Sequence, residues 1–188
     1  MANSAEEVRV AVDGVVSSAP LGTTLPTTVD GALGGTFTDV GYISEDGVTE
    51  ANSRTTEQKR AWQKRAVVRT LVTEGETTFQ FTMIQTTSKT LSEYYGIPLA
   101  DINAATGSFV TSNVDEAPRQ VYVLDVLDGD DKIRKVIADG QVTERGDITY
   151  VSTDIIQYEV TITAYDNVAL GGSVKHFYSA LVTPPVTP

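Results

Sequence analysis

The chain contains no cysteine and a single histidine, His176. Without cysteine there is neither a disulfide nor a thiolate metal site. One imidazole excludes the multi-histidine zinc and iron centres, and it leaves any nucleophilic serine a single candidate base. Long apolar runs are missing too. No stretch approaches the ~20 residues that cross a bilayer as a helix, so no membrane anchor is expected. The N-terminus, MANSAEEVRV, has neither a basic region nor an apolar core, so it does not read as a secretory signal. Synthesis in a cytoplasm follows. Positive charge is also scarce: 14 Lys and Arg stand against 25 Asp and Glu, a net charge of −11. That balance opposes non-specific binding to nucleic acid. No glycine-rich run has the spacing that cradles a phosphate, and no cofactor is expected.

What is present is alternation. A chain of 188 residues with 40% hydrophobic residues suits one domain with a real core, and the short apolar runs favour β-structure with much solvated surface. The organising stretch is 66–96. Residues 66–74 (AVVRTLVTE) read as a strand, Gly75 as a tight turn, and 77–86 as a second strand in which Phe79, Phe81 and Met83 share a face. Thr87 or Ser88 then caps a short helix. Its Leu91, Tyr94 and Tyr95 fall at i, i+3 and i+4, one packing stripe. Gly96 supplies the left-handed end, and Pro98 blocks continuation.

Taken in order, residues 7–16 alternate as a strand, 17–34 form a polar connection with Pro20 and Pro26, and 35–44 form a second strand. Residues 99–105 are a connection and 108–112 a short strand. Residues 119–127 are a strong strand, 128–131 a turn, and 132–138 the return strand. Asp139-Gly140 begins another turn, with 141–144 continuing the meander. Residues 155–165 give the longest alternation, with Ile156, Tyr158, Val160, Ile162 and Ala164 inward and Gln157, Glu159, Thr161 and Thr163 outward. A last strand covers 174–182, and 183–188 (TPPVTP) form a flexible tail. Strands joined by turns, with one helix, predict a mainly β fold. It is an antiparallel sandwich or barrel with one flanking α-helix, about 88–95, and a long inter-strand loop, about 45–65.

That loop is too polar to pack and has no period, and loops of its length are commonly functional or disordered. It also carries the charge anomaly. From Arg54 to Arg69 there are six basic residues (Arg54, Lys59, Arg60, Lys64, Arg65, Arg69) and one acid, Glu57. The segment is therefore +5 and the rest of the chain −16, because −11 − 5 = −16. The one tryptophan, Trp62, sits among these charges. A basic arm on an acidic body points to self-association, since complementary patches steer and register assembly.

No constellation points to catalysis. Asp128-Gly129-Asp130-Asp131 has the hard oxygens of a calcium site but not the loop spacing, and a hairpin turn accounts for it. Arg145-Gly146-Asp147 matches an adhesion tripeptide, yet three residues are cheap and a turn is the default. His176 lies mid-strand. Asp125 and Glu159 are candidates for an acid–base pair, although strand carboxylates more often face solvent.

The run 41–96 resembles the major tail tube proteins of bacteriophages with long, non-contractile tails. The resemblance rests on Gly41-Tyr42-Ile43 before the turn Glu45-Asp46-Gly47-Val48, then Ala61-Trp62-Gln63 and Val68-Arg69-Thr70-Leu71. The Phe79-x-Phe81 strand with Gln85 and the helix ending Tyr94-Tyr95-Gly96 complete it. It implies a non-enzymatic virion protein, with 1–182 as the tube domain and copies of itself as the main partner. Six copies would form a ring, and rings would stack into a hollow tube that conducts DNA during ejection without gripping it. A tape measure protein would occupy the lumen, and terminator and distal tail proteins would close the ends. Arg54, Lys59, Arg60, Trp62, Lys64 and Arg65 would make inter-subunit contacts, and Gln157, Glu159, Thr161 and Thr163 would line the lumen. The rival reading is a monomeric β-sandwich that binds carbohydrate or a cell surface. It calls for exposed aromatics on one sheet face, whereas most aromatics here alternate with buried positions.

Overall fold

Alternating apolar residues on the central strands meet across a folded antiparallel sheet. The computed structural model describes residues 7–112 and 116–182. The strands are β1 (Asp13–Pro20), β2 (Thr38–Asp39), β3 (Ile43–Arg60), β4 (Val67–Met83), β5 (Gln120–Asp128), β6 (Asp131–Arg145), β7 (Tyr158–Ala164) and β8 (Val174–Tyr178); the helix is α1 (Ser88–Tyr95). All pairings are antiparallel, in the order β2-β1-β5-β6-β7-β4-β3, with β8 also on β6.

Strand β6 belongs to two layers. Its first half lies between β5 and β8, and its second half pairs with β7. Between them the register with β5 slips at Gly140, where an added Cβ would lie 2.7 Å from Tyr122 Cδ2. Only a residue without a side chain lets the strand bend that closely over the core. One layer supplies Val16, Tyr122, Leu124 and Ile137 to the core; the other supplies Phe79, Phe81, Met83, Val160 and Ile162. Each such burial is worth about 1.5–3 kcal/mol, and the alternation of β7 directs it inward. Strand β3 crosses the first layer. Its Ile43 and Val48 line a groove with Leu124 and Val126, and its Glu50 pairs with Lys135 Nζ of β6 at 2.7 Å.

The outer face of the first layer is also covered. Val121, Val123 and Val136 point away from the core and are buried. Segment 21–37 lies over them, with Val29 buried and Arg134 as its clamp. Arg134 Nη1 donates to the carbonyls of Thr28 (3.2 Å) and Gly31 (2.6 Å), while its Nε and Nη2 hold both oxygens of Asp125 at 2.6 and 2.7 Å. A guanidinium that is 2% exposed is tolerable only with its donors satisfied in this way.

Helix α1 forms where its caps dictate. The Thr87 hydroxyl accepts from Thr90 N at 3.1 Å, and Gly96 ends the helix at φ 64°. Tyr94 is buried, its hydroxyl donates to Gly146 O at 2.6 Å, and its ring meets Tyr158 edge-on at 5.5 Å. Leu91 and Tyr95 pack half-buried against the core, Tyr95 also against Phe109 at 5.2 Å. The helix is fixed further by Glu93, 2% exposed. Its Oε1 accepts from Ser18 Oγ (2.5 Å) and Lys89 Nζ (2.6 Å), and its Oε2 from Tyr122 OH (3.0 Å) and Gln120 Nε2 (3.1 Å). The buried Tyr122 phenol is pushed well above its ordinary pKa by desolvation and by that carboxylate.

Several expectations are corrected. Residues 45–65 are not a loop: β3 runs through to Arg60, and the connection is only 61–66. Gly75 is not a turn but mid-strand in β4, opposite Arg54. Gly140 likewise lies within β6, so no turn follows Ala138. The first strand begins at Asp13 rather than Glu7. The 35–44 strand shrinks to the two residues of β2 before β3 starts. Residues 109–112 form no strand, and Ser108 makes only a bridge to Asn103. Strand β8 gives way at Ser179–Leu181 to a 3-10 turn. Ile156 precedes β7 and is exposed. The tail at 183–188 lies outside the described residues.

Candidate assembly surface

The third strand beside β4 ends where β7 ends. Ala164 pairs with Thr77, and beyond that row β3 and β4 continue alone. Residues 53–60 and 67–76 therefore form a two-stranded arm, about 25 Å long at ~3.3 Å per residue. Its residues are exposed except for the half-exposed Ala61 and Leu71. Strand β4 brings Val, Thr and Leu, which favour extended backbone, and it templates the polar β3 through the ladder. Bulges at Thr55/Thr56 and Lys59/Arg60 add twist.

The arm gathers Arg54, Lys59, Arg60, Trp62, Lys64 and Arg65 on one projecting element. Trp62 is 96% exposed at its tip. There the chain reverses through Lys64 and Arg65, both at φ 53°. That left-handed conformation costs a non-glycine residue roughly 1–2 kcal/mol. It is held by Ala61 N donating to Ala66 O at 2.8 Å and by Arg60 Nη1 donating to Arg65 O at 3.3 Å. Arg60 Nη2 also donates to Gln58 Oε1 at 2.9 Å, and Lys59 pairs with Glu57 at 2.5 Å.

The second surface is the outer face of the second layer. Register places Thr49 and Ala51 of β3, Thr78, Gln80 and Thr82 of β4, Glu159, Thr161 and Thr163 of β7, and Gln141 of β6 on it. None of these is Lys or Arg. Gln80 Nε2 donates to Glu159 Oε1 at 2.9 Å, and Thr163 pairs with Thr143 at 2.9 Å and donates to Glu76 at 3.3 Å. Thr163 is consequently buried rather than solvated, whereas Gln157, just before β7, is exposed.

The residues weighed for chemistry do not assemble. Asp125 is bound by Arg134 and by Lys132 at 2.9 Å, near one end of β6, while Glu159 lies beside the other end. Asp128 accepts from Val10 N and Asp131 pairs with Arg9, so the turn with Gly129 at φ 61° ties down the N-terminal segment. Among the described residues no His, Cys, Asp or Glu group is arranged to hold a metal ion. Gly146 packs against Glu159, where an added Cβ would come within 2.8 Å. His176 pairs with Lys135 in the ladder, and burial and that ammonium lower its pKa. No helix among the described residues is long and apolar enough to cross a membrane. Glu93 and Arg134 escaped sequence reading, because a charged residue announces burial only through partners distant in the chain.

The described residues thus form a two-layered antiparallel fold with a bare, charged arm. The model of a family described as phage tail tube protein matches residues 1–180. The chain belongs to the phage tail tube protein family. No curated protein matches its sequence. By fold it is similar to a chain of the PVC sheath-tube complex of an extracellular contractile injection system in the extended state. That likeness has a TM-score of 0.51 at 12% identity and covers 93% of each chain. It is also similar to a chain of the sheath/tube terminator of such a system, with a TM-score of 0.50 at 11% identity, covering 94% of this chain and 99% of that one. At such identities the likeness is one of fold. As a tail tube protein it is a structural component of a virion.

Proposed function

We propose that copies of this tail tube protein form six-membered rings that stack into a hollow tube, and that the arm makes the contacts between subunits. The observation that carries the reading is the arm itself. A two-stranded ribbon is marginal in water on its own, and this one carries +5 between Arg54 and Arg69 on a chain that is otherwise −16. A neighbouring acidic copy completes it. Residues 1–182 act as one tube domain without enzymatic activity, and the protein is made in the host cytoplasm. The outer face of the second layer, with Gln157, Glu159, Thr161 and Thr163, lines the lumen. A neutral-to-acidic wall is wetted yet repels phosphates, so DNA slides through. A tape measure protein would fill the lumen before ejection, and terminator and distal tail proteins would close the ends. The resemblance of the run 41–96 supports a tail of the non-contractile class; the similar solved structures come from contractile systems and share the fold alone.

Light scattering after size exclusion, with negative-stain microscopy, tests assembly: rings and tubes are expected, and a chain that stays monomeric at every concentration refutes it. Cysteines at Gln157 and Thr161 should be shielded from bulky maleimides in tubes, and ready labelling would put that face outside.

A further inference from the structure

Residues 8–12 lie beside the end of β5, anchored without being covered. Val10 N donates to Asp128 Oδ2 at 2.9 Å, Val12 N to Leu127 O at 3.0 Å, and Arg9 pairs with Asp131 at 2.8 Å. Val8, Val10 and Val12, spaced two residues apart, are 69%, 62% and 73% exposed. Single exposed valines need no explanation, but three on a tethered segment are half of a contact. The arm carries three more exposed valines. Val67, Val68 and Val72 are 44%, 66% and 61% exposed. Since all six valines are open, the two sets do not cover each other within one chain.

The two sets are opposite in charge. Acids flank the first set (Glu7, Asp13 and Asp130), and Arg60 and Arg69 flank the second. We propose that residues 7–12 of one subunit are the seat for the arm of a second copy of this chain, valine against valine, with the arm's cations over the acidic 128–131 turn. This rests on the reading of the chain as a tube-forming subunit. Such a contact joins two different patches, so it propagates from copy to copy instead of closing a dimer.

The chain has no native cysteine, so introduced pairs report cleanly. Val10→Cys is combined with Val72→Cys, and Val12→Cys with Val67→Cys, in the full chain. Val10→Cys with Val168→Cys sets the random-collision level, because Val168 is fully exposed in a turn outside the arm. Mild oxidation of assembled tubes should give a ladder of joined subunits for at least one arm pair, several-fold above that level, and none in the dilute monomer. Tubes that form normally while neither arm pair exceeds the control overturn the contact and leave the tube reading standing. A wild-type chain that never assembles overturns the tube reading, and the contact with it. A second variant, Val10→Asp with Val12→Asp, alters only exposed side chains. It should fold normally and raise the critical concentration for tubes about tenfold or more; an unchanged value again overturns the contact.

Discussion

Reversing Lys59, Arg60 and Lys64 to Glu takes the charge from Arg54 to Arg69 from +5 to −1, because each substitution changes it by two. An exposed ion pair is worth ~0.2–1 kcal/mol. Three lost attractions, each replaced by a repulsion of similar size, weaken every subunit contact by about 1–6 kcal/mol on that scale. At 1.4 kcal/mol per factor of ten, the critical concentration for tubes should rise at least several-fold and up to ~10⁴-fold. The three sites differ. Lys59 already pairs with Glu57, and Arg60 braces the tip through Arg65 O and Gln58, so their reversal also loosens the arm. Lys64→Glu alone is the cleaner probe of contact between copies. Screening reaches about 8 Å at physiological ionic strength, so the deficit should shrink as salt rises. The assay is tube yield by sedimentation and microscopy over a salt series, with circular dichroism to show that the monomer stays folded. A triple variant with the wild-type critical concentration at every salt would refute the electrostatic role of the arm.

Glu93→Ala strands four donors around a buried site and should cost about 3–5 kcal/mol. That is a fall in Tm of roughly 6–20 °C for a domain of this size, read by thermal unfolding, and a fall under 3 °C would count against it. Gly75 and Gly140 should part company. Gly75→Thr meets open space at an ordinary φ and should leave the arm intact or up to ~1 kcal/mol firmer. Gly140→Ala meets Tyr122 and should lose about 1–3 kcal/mol in denaturant titration, and equal effects would sink the distinction. Two groups should shape the acid limb. The folded-state pKa of His176 is lowered by burial and Lys135, so its neutral form is favoured and stability falls as pH drops from ~6.5 through that lowered value. For Glu50, burial raises the pKa but the Lys135 and Asn52 hydrogen bonds more than offset it. Its net lowering means stability present above the usual carboxylate range and lost as pH falls below it. His176→Gln should flatten the first step and leave the second, and an unchanged curve refutes the assignment.

What was legible in the sequence was what is buried. The alternation of 158–164 points the right residues inward, and Thr87 and Gly96 mark the helix ends because capping is local chemistry. The β4 half of the arm was legible as strand from its Val, Thr and Leu, but the β3 half was not, because hydrophobic period reports burial and this ribbon is wetted on both faces; there only the charge stood out. The two glycines misled for a related reason. Asp139-Gly140 carries the composition of a turn, yet the backbone needs Gly140 for a bend over Tyr122, a demand set by residues eighteen positions away (140 − 122).

The candidate site divides along the same line. The body satisfies itself: Arg134 holds the 21–37 strap, Glu93 holds the helix, and the two layers share one core. Removing a partner there costs stability, which a monomer can register. The arm does the opposite. Lys59 and Arg60 bond only within the arm, Trp62 and the arm's valines are exposed, and its tip keeps two residues in a costly left-handed conformation. Natural sheets ordinarily blunt such edges, since exposed strands recruit one another. On the proposed reading, a chain that extends such a ribbon beyond its core, with a charge opposite to its own bulk, places its binding energy outside the subunit. Variants on the arm should therefore leave the melting of the monomer nearly unchanged and alter assembly, while variants at Glu93 or Arg134 should alter both.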